Sequence, residues 1–183
     1  MRTSFIAGLL LASISAGLAS PVETTDAVCS GQVTVSKTFI GKDRNVEMEV
    51  ATCPEATVQA RAVLEGRQTN LCALACNRNC FLPSGGGPDP NECHIIADAL
   101  RFESQNTGAI FAVGTGTNNT VVLTYSSCKS FFVNQDLGPV SYCRTNWADT
   151  IDNVAFNCQA TQNAHGGNCV ATDQRYFIQV QHS

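Results

Sequence analysis

Pro83-Ser84-Gly85-Gly86-Gly87-Pro88-Asp89-Pro90-Asn91-Glu92-Cys93-His94-Ile95-Ile96-Ala97-Asp98-Ala99-Leu100 is the stretch on which the fold turns. Its Gly/Pro opening, Pro83 to Pro88, has no regular structure available to it and reads as a linker. The residues after it read as a helix start. Asp89 can cap the free N–H groups, Pro90 suits the first helical position, and Glu92 can close a capping box. Cys93, Ile96, Ala97 and Leu100 then recur at helical spacing, and Gly108 offers a stop.

Outward from this helix the chain alternates between strand and helix signals. Gln32 to Ile40 carries Val33, Val35, Lys37 and Phe39 on one face of a strand. Asn45 to Ala51 sets Val46, Met48 and Val50 against Glu47 and Glu49, and the polar turn Gly41 to Arg44 makes the two a hairpin. A helix is expected around Ala60 to Leu64. After the Asp89 helix, Phe111 and Val113 lead into Gly114 to Asn119, and Val121, Leu123 and Tyr125 lead out, as in a second hairpin. Lys129 to Asn134 is a further strand. Cys143, Trp147, Ile151, Val154 and Cys158 form an apolar helical stripe that places Trp147 in the core. Gly166-Gly167 reads as a turn, and Tyr176, Ile178 and Val180 alternate in a closing strand. With one strand from the first half this gives βαββαβ, an α+β two-layer sandwich of split-βαβ type: an antiparallel sheet carrying two helices, rich in disulfides. The domain organisation expected is a signal peptide over 1–19, a hairpin and Cys-rich extension over 20–90 ending in the Gly/Pro linker, and an α+β domain over 91–183.

The ten cysteines are Cys29, Cys53, Cys72, Cys76, Cys80, Cys93, Cys128, Cys143, Cys158 and Cys169. An even number, all beyond the signal segment, reads as disulfides in an oxidising compartment. Zinc sites favour short CxxC pairs, which are missing here. In a helix, Cys72, Cys76 and Cys80 would stand about 5–6 Å apart between Cβ atoms, against about 3.5–4.5 Å for a disulfide. They are therefore expected to staple other segments. Cys143 and Cys158 at the two ends of one helix would be about 22 Å apart and cannot bond each other.

Arg2, the apolar run Phe5 to Leu11 and the small residues ending in Ala19 have the layout of a secretory signal. No later segment has the ~18 consecutive apolar residues of a membrane span. A formal charge of −4 argues against nucleic-acid binding. With 44% hydrophobic and 14% charged residues the chain is not of disordered type. In a secreted, extracellular glycoprotein Asn118-Asn119-Thr120 is an N-glycan acceptor, here at the expected hairpin tip.

Catalytic signals are thin. His94 sits one step off the stripe of its helix, His165 lies in the loop Asn163-Ala164-His165-Gly166-Gly167, and His182 is at the tail. Asp149 and Asp152 stand at i and i+3 on the second helix, as solvated charges or as a carboxylate pair. There is no GxSxG turn and no phosphate-binding loop. No catalytic residue, metal site or cofactor is assigned.

Asn91 to Leu100, Thr124-Tyr125-Ser126-Ser127-Cys128, Trp147 to Ile151 and Gly166-Gly167-Asn168-Cys169 together resemble a fungal secreted domain. It is the cysteine-rich necrosis-inducing effector domain, related to the virally encoded fungal killer toxins, and the resemblance covers about residues 91–180. It implies a two-layer sandwich, secretion and action by binding at another cell. The killer-toxin relatives act on membrane calcium channels through basic surface residues. From Asn91 onward this chain has only Arg101, Lys129, Arg144 and Arg175, so channel blocking is not carried over and neither is any functional residue.

The expectation is a secreted, non-enzymatic interaction protein, effector-like or toxin-like. Its partner would be an unidentified surface or wall component of a host or competitor cell. The alternative is a small secreted hydrolase of cell-wall polymer or RNA, built around His165 or the Asp149/Asp152 pair. A third reading, a cell-wall structural or glycan-binding protein, would want exposed aromatics in a row, and the one tryptophan, Trp147, stands on an apolar helical stripe.

Overall fold

The computed structural model describes residues 29, 31–52, 68–72 and 74–183. The signal segment, the helix expected at Ala60 to Leu64 and Cys53 lie outside the described residues. Ten strands and two α-helices follow in the order β1 (Val33–Ile40), β2 (Val46–Thr52), β3 (Thr69–Asn70), β4 (Cys76–Cys80), α1 (Pro90–Asn106), β5 (Ile110–Val113), β6 (Thr120–Tyr125), β7 (Cys128–Asn134), β8 (Val140–Cys143), α2 (Arg144–Asn157), β9 (Gly167–Ala171) and β10 (Tyr176–His182). Seven strands form one antiparallel sheet in the order β1-β2-β6-β7-β10-β9-β4, and β3-β8-β5 form a small second sheet. The protein is a disulfide-rich α+β fold.

Both helices contribute to one core on one face of the large sheet. Cys93, Ile96, Ala97 and Leu100 of α1 and Trp147, Ile151 and Val154 of α2 join Leu123, Phe132, Ile178 and Val180 of the sheet there. Adjacent strand residues point to opposite faces. Phe131, next to Phe132, accordingly belongs to a second cluster on the other face with Ala51 and Val122, beside Val133 and Phe177.

Trp147 is buried, as its helical register requires. Its ring stacks on Phe111 at 5.3 Å and meets Phe132 edge-on at 5.9 Å, and its indole N–H donates to Ser130 Oγ at 3.0 Å. Tyr142 and Tyr176 complete the aromatic group, with hydroxyls 3.2 Å apart. The Tyr176 hydroxyl donates to Leu74 O, and burial raises both phenols above their usual pKa.

Four local expectations are corrected. First, β5 and β6 are not a hairpin. β5 pairs with β8 and β6 with β2 and β7, so Gly114 to Asn119 carries the chain from one sheet to the other. Second, Cys76 and Cys80 lie on a strand, not a helix. Third, β1 does not present one continuous stripe. A register shift between Thr34 and Ser36 puts Val33 opposite Thr52 but Lys37 and Phe39 opposite Glu49 and Glu47, which lie on the other face. Fourth, Gly167 opens strand β9 instead of closing a turn. A Cβ on Gly167 would lie 2.5 Å from Asn79 O and 3.1 Å from Cys158 Sγ, so β4 can approach β9 only where this residue is bare. β9 and β4 extend the large sheet beyond β10, β8 joins the small sheet, and the order of the strands between is changed as well. β2 stands beside β6 and β7 beside β10, in place of the interleaved order of a split βαβ unit.

Replacing Trp147 by alanine is expected to cost about 3–5 kcal/mol, through lost transfer energy plus the cavity left among Phe111, Phe132 and Ser130. Urea unfolding measures it. In the native protein the single tryptophan should emit in the blue and resist iodide quenching.

Candidate functional site

Helix α1 begins as its sequence dictates. The Asp89 side chain accepts from Asn91 N at 2.8 Å, and Pro90 occupies the first turn. Glu92, however, does not close a capping box. Its carboxylate accepts from Ser126 Oγ at 2.6 Å, from Ser127 N at 2.8 Å and from the Ser127 hydroxyl. Ser127 Oγ in turn accepts from Asp89 N at 3.0 Å. The serine thus stands between the two members of the expected box and ties the helix start to the β6–β7 turn. There the Cys93–Cys128 disulfide makes a covalent link, and the chain end adds Ser183 N to Ser127 O.

The titratable candidates meet at the surface where α1 and α2 pack. His94, Asp98 and Arg101, four and three residues apart, form one face of α1 and look across to Asp149 and Asp152 of α2. His94 Nδ1 lies 2.9 Å from Asp152 Oδ1 and, since a carboxylate only accepts, is the donor. His94 Nε2 is 3.6 Å from Asp98 Oδ2. One terminal nitrogen of Arg101 reaches both Asp152 (2.7 Å) and Asp149 (3.0 Å), while the other takes Asp98 (3.1 Å). Partial burial opposes the charge on Arg101, but the hydrogen bonds to Asp152 and Asp149 outweigh it and raise its pKa. The residues given no role in the sequence reading are Asp98 and Arg101, and the signal for them was their spacing from His94.

This arrangement braces two helices. In a hydrolytic triad the second imidazole nitrogen faces a nucleophile, whereas here it faces another carboxylate. The Asp149/Asp152 pair is bridged by a guanidinium. Among the described residues no group of three or more His, Cys, Asp or Glu side chains is arranged to hold a metal ion.

His165 is placed elsewhere, against the Gly/Pro stretch. Its Nδ1 donates to Pro83 O at 2.6 Å, its backbone N to Phe81 O at 3.0 Å, and its ring tilts over Phe81. Asn163 Oδ1 accepts from Ser84 N. The start of the expected linker is thus fastened to the β9 side of the fold, and strands from both sides of it share the large sheet.

Asn118 is exposed on a 3-10 turn, Gly116–Asn118, between the two sheets. Thr117 O in this turn accepts from the Thr52 hydroxyl. Asn119 and Thr120 beside it are buried, and the Thr120 hydroxyl donates to Asn119 Oδ1.

Four disulfides join Cys72–Cys143, Cys76–Cys169, Cys80–Cys158 and Cys93–Cys128. Cys29 is disulfide-bonded as well, and none of the described cysteines is free. No helix of the described residues is long and apolar enough to cross a membrane. Comparison with family models gives no match to this chain, and a search of curated proteins gives none either.

The Ser126 and Ser127 hydroxyls and the Ser127 N–H, in that order, hold the Glu92 carboxyl below its usual pKa. A depressed folded-state value stabilises above the unfolded value of about 4.3, and that stability is lost as pH falls through the folded value. Urea midpoints measured from pH 6 down to acid should therefore fall less steeply for Glu92→Gln than for wild type.

Proposed function

We propose that this is a secreted interaction protein that acts by binding a surface or wall component of another cell, without turnover. The observation that carries the reading is the state of the titratable candidates. His94, Arg101, Asp98, Asp149 and Asp152 are spent on one another across the α1–α2 pair, and His165 is spent on Pro83. A dense set of disulfides joining distant segments of the chain is the construction expected of a protein built for an oxidising exterior. The likeness of residues 91–180 to the fungal necrosis-inducing effector domain points the same way. Glycan binding through Trp147 is disfavoured by its place in the aromatic core.

Purified, oxidised protein should leave polysaccharide, ester, peptide and RNA substrates intact, and should be retained by cell-wall glycans or by plant or fungal membranes in a pull-down. Turnover that disappears in Asp152→Asn would establish the hydrolase reading instead. The second expectation concerns Asn118, which we propose as the glycan carrier because its side chain is exposed on a turn. Protein secreted from a eukaryotic host should lose mass on enzymatic deglycosylation. Asn118→Gln should show no such loss and should fold normally, since the residue is exposed.

A further inference from the structure

The large sheet ends on two strands of opposite character. At one edge β4 reads Cys76-Asn77-Arg78-Asn79-Cys80, polar and held by disulfides at both ends. At the other edge β1 runs for eight residues, is exposed along nearly its whole length and, among the described residues, has no strand on its outer side. Val33, Val35 and Phe39 are each more than half exposed. Edge strands are normally guarded by charge, proline or distortion, because their free N–H and C=O groups template further pairing. β1 has no proline. Its single charge, Lys37, is already engaged by Glu47 at 2.6 Å and Glu49 at 3.6 Å. The register shift between Thr34 and Ser36 distorts only the first half. Among the described residues, Ser36 to Ile40 remains a regular edge with no such guard.

We infer that β1 is a self-association edge, on which a second copy of this chain adds its own β1 antiparallel about a two-fold axis at Thr38. Such an axis keeps each face of the sheet continuous across the pair. Lys37 and Phe39 share the face opposite the helices, as their partners Glu49 and Glu47 on β2 show. Centring on Thr38 sets Phe39 against the partner's Lys37 twice, so each ring covers a lysine stem and no lysine opposes its own copy. Centring on Lys37 would oppose two like charges, and centring on Ser36 would run the pairing into the distorted half. The isologous pairing closes at two chains. Five paired residues a side make a small contact, so the dimer is weak and depends on concentration.

Sedimentation equilibrium on the full oxidised protein, from micromolar to about 1 mM, tests this. The mass should rise from one chain toward two and stop there. Phe39→Lys places a lysine opposite the partner's Lys37 but also opposite its own Glu47, so the hairpin should hold. It should weaken association about tenfold or more, equivalent to about 1.4 kcal/mol. A wild-type monomer throughout the range, growth beyond two chains, or unchanged association of Phe39→Lys each overturns the inference. Amide exchange on the wild type gives a reading independent of any variant. Protection should rise with concentration at β1 and not at β4, and the opposite pattern, or none, also overturns it.

Discussion

Three cysteines within nine residues determine where helix α2 lies. Cys72 bonds Cys143 at the N-terminal end of α2, and Cys80 bonds Cys158 at its C-terminal end. The lengths match. Eight residues of chain reach at most roughly 26–29 Å, and the helix from Cys143 to Cys158 is about 22 Å long. Cys72 and residues 74–80 therefore run beside α2 like a strap, in the same direction, and Arg78 touches Asn153 along the way. Cys76, at the middle of the strap, bonds Cys169 on β9. Helix, strap and sheet are joined in one ring, and the bare Gly167 lets strap and sheet meet at backbone distance. In the chain-entropy model each of these loops, 71 to 93 residues in span, removes about 4–5 kcal/mol of unfolded-state freedom. The three are nested, so the values do not simply add.

The strap explains how a protein with so little help from its helices holds together. α2 has no side-chain cap at its first turn, no acidic residue there and no basic residue in its last turn. By propensity and capping it is a poor helix. Disulfides at both ends fix where the helix lies, and Trp147, Ile151 and Val154 anchor it from the buried side. α1 is built the other way. It has a proper Asp89 cap and Pro90, and its single disulfide joins it to the β6–β7 turn, where Glu92 is already bound by two serines. One helix is held chiefly by its cross-links, the other also by its own sequence.

That difference accounts for what could be read before the structure. α1, the β1–β2 hairpin, β7, β10 and the core position of Trp147 follow from local signals: a cap, a turn, an alternation, a 3.6-residue stripe. β4 and β9 have none, and β8 has only the brief alternation of Val140 and Tyr142 with Ser141. Cys-Asn-Arg-Asn-Cys has no strand-forming side chains, and it is a strand because cross-links hold it against β9. β8 and β9 are short and open or close on residues whose role depends on distant partners. Pairing of β5 with β8 instead of β6 is likewise invisible locally, since a Gly-rich connection reads the same whether it turns back or crosses between sheets. The spacing ruled out a Cys143–Cys158 bond. The bonds that form depend on the strap, which no local pattern announces.

The charged cluster follows the same division. His94, Asp98 and Arg101 sit on one helix face by spacing alone, and Asp149 and Asp152 on another. Whether they meet depends on how α2 is set against α1, and that is governed by the strap at both ends of α2. Exposed ion pairs contribute little one at a time, while a network around a shared, partly buried group does more. Arg101 is that group, with three carboxylates on its two terminal nitrogens and His94 bonded to one of the three. Removing Arg101 would leave three carboxylates facing one another with His94 alone among them, so the arginine is what allows so many acids on one helix–helix seam. The cross-links thus set the geometry, and the charges exploit it to keep the two helices in register above the sheet.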